Sequence, residues 1–319
     1  MSELLKSVQT RFRAYQIGSA GSSFSYFANN KFTLIEARLT DASKASILSE
    51  MRVSGRTSID TLHITSWDQD HCSEADLALI LTAFTPGKIE YPGYPPHTDT
   101  AKACLASIRA FHAQRRARSI PAVLQAINPD YIASLDHATG LGYNDVFYHP
   151  RVFYEGSNNN STVKVFRSGS FNVASLGDIE HPNLGAYLRG NRIFKSEVDV
   201  LILAHHGADN GVTTKKFLEE VSPTVAVCSS NHGNQFEHPR PEIRQRLSDL
   251  RIQMFTTKHG DIVIESVEPH RGRCRVTNLI SDSTRTDGIY DFQSKKTRLL
   301  GMNADSVRNR YHPGVRGPR

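Results

Sequence analysis

Four separated stretches of this chain place aspartates and histidines directly after apolar, strand-like runs. They are TSWDQDH at 65–71, which follows TLHI; SLGD, which ends at Asp178; LILAHHG, which carries His205 and His206; and SSNHGNQFEHPRP, which carries His238. A divalent cation needs several anionic or imidazole ligands converging from different elements, because one loop rarely encloses it. Carboxylates and imidazoles arriving from several strand ends meet that need. A cation held this way makes water nucleophilic near neutral pH and neutralises charge on an attacked phosphoryl or carbonyl oxygen. The chemistry suggested is metal-assisted hydrolysis.

Such residues need elements that bring them together. FRAYQIG, FSYFAN, FTLIEAR and TLHIT read as four short strands, the first three separated by Gly- and Asn-containing turns, with the acidic heptapeptide at the end of the fourth. Ser73 and Asp76 have the spacing of a capping box, and Leu77, Ile80, Leu81 and Phe84 recur at helical spacing until Pro86-Gly87 stops the pattern. The cluster therefore lies in a strand-to-helix loop. Residues 98–115 form an amphipathic helix with Ala101, Leu105, Ile108 and Phe111 on one side and a basic end, QRRARS. The region of about 83–150 reads as a partly helical insertion. Strand patterns resume in STVKVFRS, SFNVASLGD, VDVLILAHH, TVAVCSS, QMFTT and DIVIESV, with helical segments near 211–221 and 240–250 between some of them. This is an α/β pattern. We divide it into a domain over 1–268 and a basic C-terminal extension over 269–319.

With 319 residues, 39% hydrophobic and 22% charged, the chain suits one large α/β domain with appendages. No apolar run approaches the roughly 20 residues of a membrane helix, and the longest candidate, VDVLILA, contains Asp199. The N-terminal MSELLKSVQTRFRAYQ lacks the apolar region of a signal peptide, so a cytoplasmic protein with no membrane partner is expected. Cys72, Cys104, Cys228 and Cys274 form no C-x-x-C pair and read as reduced thiols. Lys and Arg number 38 against 32 Asp and Glu, a net charge of +6 that is compatible with a polyanionic partner.

Together, ITSWDQDH, NNNSTVKVFRSGSFNVASLGDIE, VDVLILAHHG, HPRPEIRQRL and TTKHGDIVIE resemble a metallo-β-lactamase-fold hydrolase, and in particular the soluble hydrolase domain of ComEC-type DNA-uptake competence proteins and their stand-alone relatives. The matches run from about residue 12 to 266. The resemblance implies an αββα sandwich of two mixed sheets flanked by helices, with the site along one sheet edge. It also implies one or two divalent ions per chain, Zn or Mn, with Mg possible. The family motif H-x-[HD]-x-D-H falls on Ser66 to His71, so Asp68, Asp70 and His71 match ligand positions, while Ser66 replaces the first histidine with a poor neutral ligand. Asp178 matches the metal-bridging aspartate and His205-His206 the H-H-G element. His238 matches a late histidine, and either it or His205 completes the second metal shell. Asp70, His206 and His238 are the candidates for proton transfer and oxyanion stabilisation. Ser66, Asn160 and Ser161 are candidates for facing substrate.

Three functions follow from this reading. The first is a metal-dependent phosphodiesterase, a nuclease with nucleic acid as substrate. The second is a hydrolase of a small ester, lactone, thioester or cyclic nucleotide, since one water-activating site serves all of these. The third is a binding or regulatory module whose metal site the Ser66 replacement has weakened. Trp67 reads as a hydrophobic loop anchor before a base-stacking platform. Arg109, Arg115, Arg116 and Arg118 read as a solvated helix end that could contact phosphates.

Overall fold

The computed structural model describes residues 6–135, 144–281, 283 and 285–302. The terminal RNRYHPGVRGPR of the expected extension lies outside them. Two sheets are present among the described residues. The first has nine strands and contains β1 (Thr10–Ala14), β2 (Phe24–Ala28), β3 (Lys31–Ile35), β4 (Thr61–His63), β5 (Lys88–Pro92) and β6 (Val123–Ile127). The second has six: β7 (Val146–His149), β8 (Val163–Phe166), β9 (Val173–Ser175), β10 (Val200–Ile202), β11 (Val225–Cys228) and β12 (Gln253–Thr256). The chain then returns to the first sheet with β13 (Ile262–Ser266), β14 (Arg273–Leu279) and β15 (Thr286–Gln293), giving the order β15-β14-β13-β1-β2-β3-β4-β5-β6. The second sheet runs β12-β11-β10-β9-β8-β7. Both are mixed. β3 to β6 are parallel in one, β9 to β12 in the other, and the remaining pairs are antiparallel.

Helices cover the outer faces. α1 (Asp41–Val53), α2 (Glu74–Ala83) and α3 (Asp99–Ala117) pack Ile47, Leu77, Ile80 and Ile108 on the first sheet's Leu34, Leu62 and Ile89. α4 (Pro129–Leu135) precedes β7. α5 (Pro182–Gly190), α6 (Arg192–Glu197), α7 (Lys215–Val221) and α8 (Pro241–Asp249) pack Leu188, Phe194, Phe217 and Ile243 on the second sheet's Val165, Leu201 and Ala226. Between the sheets, Phe12, Phe24, Tyr26 and Ile264 meet Phe166, Val173, Val200, Ile202 and Val227. The period-two alternation of a strand explains the division: Val200 and Ile202 face the other sheet while Leu201 faces the helices. The layers are therefore helix, sheet, sheet, helix, as the motif resemblance implied.

The expected insertion is built into both sheets. Its β5 and β6 extend the first sheet in parallel, and β7 begins the second. Residues assigned to the extension likewise contribute β14 and β15 to the first sheet's edge. α9 (Lys295–Met302) then docks through its first turn. The buried Asp199 carboxylate accepts Lys295 N at 2.7 Å and Asn172 N at 2.8 Å, and the buried Lys296 ammonium donates to the carbonyls of Arg167 and Gly169.

One local expectation is corrected. Ser73 is the N-cap of α2, but its side chain makes no capping bond. Asp76 points instead to the preceding strand connection, accepting Arg38 Nε at 2.9 Å and Leu39 N at 3.1 Å. A partly buried arginine competes better for that carboxylate than the N-cap backbone N–H does.

Candidate metal centre

Every site loop leaves the C-terminal end of a parallel strand, where successive loops of an α/β sheet converge. β3 leads to Glu36, β4 to the 65–71 loop, β9 to Asp178, β10 to His205-His206, and β11 to Ser229 and the loop that reaches His238. The turns are tight. Glu36, Gly177, His205, His206 and Gly207 all have positive φ, at 70°, 54°, 46°, 53° and 86°. Left-handed backbone at non-glycine residues persists only where surrounding contacts hold it, and it clusters at functional sites. A Cβ on Gly177 would lie 2.6 Å from the Ser161 Cβ, so this turn into Asp178 requires glycine.

Asp70, His71, Asp178 and His206 converge, each offering one ligand atom within 4.8 Å of the others. His71 Nε2 lies 3.0 Å from Asp178 Oδ2, and His206 Nε2 lies 3.1 Å from Asp70 Oδ2 and 4.0 Å from Asp178 Oδ1. His71 and Asp178 are buried, and Asp70 is the member that opens to solvent. Two donor atoms fit a cation. His71 Nε2 is buried and, despite its proximity to Asp178, makes no aligned hydrogen bond. On the other side of that ring, Nδ1 lies 3.1 Å from Glu36 Oε1 and 3.2 Å from Thr65 Oγ1, whose hydroxyl donates to Glu36 Oε1 at 2.6 Å. In the neutral ring that a cation would bind, the proton therefore sits on Nδ1 and the Nε2 lone pair faces the cluster. In His206, Nδ1 donates to the Ser229 carbonyl at 3.1 Å, which leaves Nε2 the same role. Outer partners of this kind orient ligating imidazoles.

The electrostatics match a site meant for positive charge. Burial alone would lower the His71 imidazole, but Asp178, Glu36 and Asp70 outweigh it and hold it well above its ordinary value. His206 follows the same pattern, raised by Asp178 and Asp70 against burial. Burial pushes the Asp70 and Asp178 carboxyls up, yet the neighbouring imidazoles bring both below the ordinary carboxylate range.

The other candidate residues surround this group. His205 borders it, with Nε2 3.9 Å from Asp178 Oδ2 and Nδ1 2.6 Å from Glu180 Oε1. The His238 ring lies 5.9 Å from that of His205 and 6.5 Å from that of His206, and burial followed by the nearby imidazoles lowers it to about 4. Asp68 is not in the converging set. Its carboxylate accepts the Ser66 hydroxyl at 2.9 Å, and Ser66 Oγ is also 3.0 Å from the Tyr94 hydroxyl. Asn160 does not face the site, because its amide is fully used within its own loop: Oδ1 accepts Tyr154 N at 2.7 Å, and Nδ2 donates to the carbonyls of Tyr154 and Gly156. Ser161 is buried against Gly177, and its hydroxyl has no hydrogen-bond partner among the described residues. Trp67 is buried, with Nε1 donating to the Tyr94 carbonyl at 3.0 Å, and so anchors its loop. The Arg115 guanidinium lies over Phe111 and donates to the Pro121 carbonyl, as at a solvated helix end. All four cysteines are free and buried.

Two residues were missed by sequence reasoning. Asn159 Oδ1 accepts both Glu180 N and His181 N, at 2.9 and 2.8 Å, and fixes the chain just after Asp178. Glu36 is the other, and its only sequence signal is a carboxylate directly after the apolar FTLI run. Glu36→Ala is expected to weaken metal binding about ten- to a hundred-fold, with Glu36→Gln recovering part of the loss. Competition against a chromophoric chelator measures this, and unchanged affinity in the alanine variant would remove Glu36 from the site.

The four layers, with acidic and imidazole side chains at one end of the parallel strands, are those of the metallo-β-lactamase fold. Among particular proteins, the chain is 24% identical over 215 residues to ComE operon protein 3 of Bacillus subtilis (strain 168), a match covering 66% of this chain and 25% of that protein. It is 23% identical over 250 residues to competence protein ComA of Neisseria gonorrhoeae, covering 76% and 31% respectively. The chain thus spans about a third or less of the length of these relatives. Similar solved structures include the metallo-β-lactamase fold protein YhfI of Bacillus subtilis, at TM-score 0.45 and 12% identity over 80% of this chain and 99% of that one. Igni18, a metallo hydrolase from Ignicoccus hospitalis, aligns at TM-score 0.45 and 14% identity over 79% and 98%. No family model matches the chain. No helix among the described residues is long and apolar enough to cross a membrane.

Proposed function

We propose that the chain is a metal-dependent phosphodiesterase that cleaves nucleic acid. The observation that carries the hydrolase reading is the convergence of Asp70, His71, Asp178 and His206 around two imidazole nitrogens whose lone pairs face inward. Support for nucleic acid comes from the similarity to a protein named competence protein ComA and from the net charge of +6.

When bound, the divalent cation supplies a nucleophilic water and offsets charge on the phosphoryl oxygen. Asp178, His71 and His206 would hold the ion in place. Asp70, its Oδ2 3.1 Å from His206 Nε2 and open to solvent, would also orient the attacking water and accept its proton. His206 thus belongs with the ligands, which leaves His205 and His238 at the mouth. His205, held by Glu180, protonates the departing oxygen, and His238 donates a hydrogen bond to the developing oxyanion. Because Ser66 and Asp68 satisfy each other, one ion per chain is expected.

Protein stripped with a chelator and reloaded with Mn, Zn or Mg tests this on single-stranded DNA, duplex DNA, RNA and cyclic nucleotides. Cleavage of a strand that depends on added metal, with one bound equivalent, is the expected result. Less than one equivalent and no hydrolysis with any ion would leave a binding module. Hydrolysis of cyclic nucleotides alone would leave a small-molecule enzyme.

A further inference from the structure

Three rings form a column from the metal-binding group to solvent. His206 and His238 are stacked at 6.5 Å and 13°, and His238 and Phe236 at 5.6 Å and 25°. Phe236, beside His238, is nonetheless 58% exposed, so most of its ring is open to solvent. The loop is braced so that the ring stays out. Asn234 Oδ1 accepts His238 N at 2.6 Å, its Nδ2 donates to the carbonyls of Asn231 and His238 at 2.8 and 3.0 Å, and Arg240 donates to the Phe236 carbonyl at 3.3 Å. Its sequence neighbours in NHGNQFEH are polar or glycine, so this is a single aromatic face and not an apolar patch of the kind that enters a membrane or a protein core.

We propose that Phe236 is a stacking platform for one nucleobase of a single-stranded substrate, at least one nucleotide away from the bond cleaved. This rests on the phosphodiesterase reading above. A base has a planar π face whatever its sequence, and stacking on an exposed aromatic ring is the usual sequence-tolerant contact to a single strand. Bases within a duplex have their faces covered by their neighbours and cannot take this position without unstacking. A base on the outer face of Phe236 would lie a further ring spacing beyond it, too far along the column to belong to the nucleotide at the metal.

Steady-state cleavage by the metal-loaded full chain tests the assignment on two short single strands, one with every base present and one with an abasic site near the cut. Phe236→Ala is expected to raise KM about ten-fold on the intact strand. Phe236→Trp restores it, and the abasic strand shows no difference between wild type and Phe236→Ala. An alanine variant equal to wild type on the intact strand, or one equally impaired on the abasic strand, overturns the platform while leaving the phosphodiesterase reading in place. If wild type cleaves no strand at all, the parent reading fails, and this one with it.

Discussion

Asp178→Asn is expected to abolish hydrolysis, with a loss of about a thousand-fold or more, because the groups of such a site act as a unit. Asp178 is the buried carboxylate of the group, 3.0 Å from His71 and 4.0 Å from His206, with the bordering His205 at 3.9 Å. Substitution by Asn preserves its shape and removes its charge, which a divalent cation requires. Two measurements separate this from general damage. Bound metal should fall below one equivalent, and the rise in Tm that added metal gives the wild type should vanish, since an ion stabilises only a fold that binds it. Asp70→Ala should behave similarly in activity. Full activity in both variants would dismantle the site assigned here.

Glu90→Ala is expected to be the most destabilising single change outside the site, by about 3–5 kcal/mol. Glu90 on β5 and Lys164 on β8 form a buried pair at 2.9 Å that bridges the two sheets, with His63 Nδ1 also 2.9 Å from the carboxylate. The Lys164 ammonium further sits over the Phe147 and Phe166 rings, at 4.7 and 4.6 Å. Removing the carboxylate leaves a cation among aromatic rings with, among the described residues, only Asp145, at 3.5 Å, to answer it. The fall in Tm should be about 5–7 °C. Adding Lys164→Met should restore part of it, because no cation is then left unpaired among the rings. The pair also sets an acid limb. Burial alone would push the Glu90 carboxyl up, but Lys164, His63 and Lys88 outweigh it and hold it well below its ordinary 4.5. Its contribution is therefore complete above that value and is lost as pH falls through the lower folded one. A pH titration of Tm should show the wild type weakening below about pH 4.5. The Glu90→Gln variant should be flatter there. An alanine variant that melts with the wild type would show that the bridge contributes nothing.

Much of the fold was legible because strand and helix periods are local. VDVLILA alternates between two buried faces, and Leu77, Ile80 and Leu81 repeat on one side of α2, so each element announces both its type and its buried side. Asp70, His71 and Asp178 were legible for the same reason, as charged residues at the ends of apolar runs. The edges of the domain were not. β14 and β15 are polar and half exposed, with Arg273, Arg275 and Asp291 on their outer face, so they read as an accessory tail although β14 pairs with β13 and β15 in turn with β14.

What the sequence determined by itself was the order of strand ends and the residue types they carry, since both depend on neighbours a few positions away. The tertiary structure decided which side chains meet. His205 and His206 are adjacent, of one type and both in left-handed backbone, yet one turns to Glu180 and the other to Asp70. Asp68 fits the ligand motif but closes on Ser66, while Glu36 fits no motif and reaches His71 from the neighbouring strand. Each outcome depends on the direction of a side chain across a gap between elements far apart in the chain, and that direction is set by packing of both sheets at once.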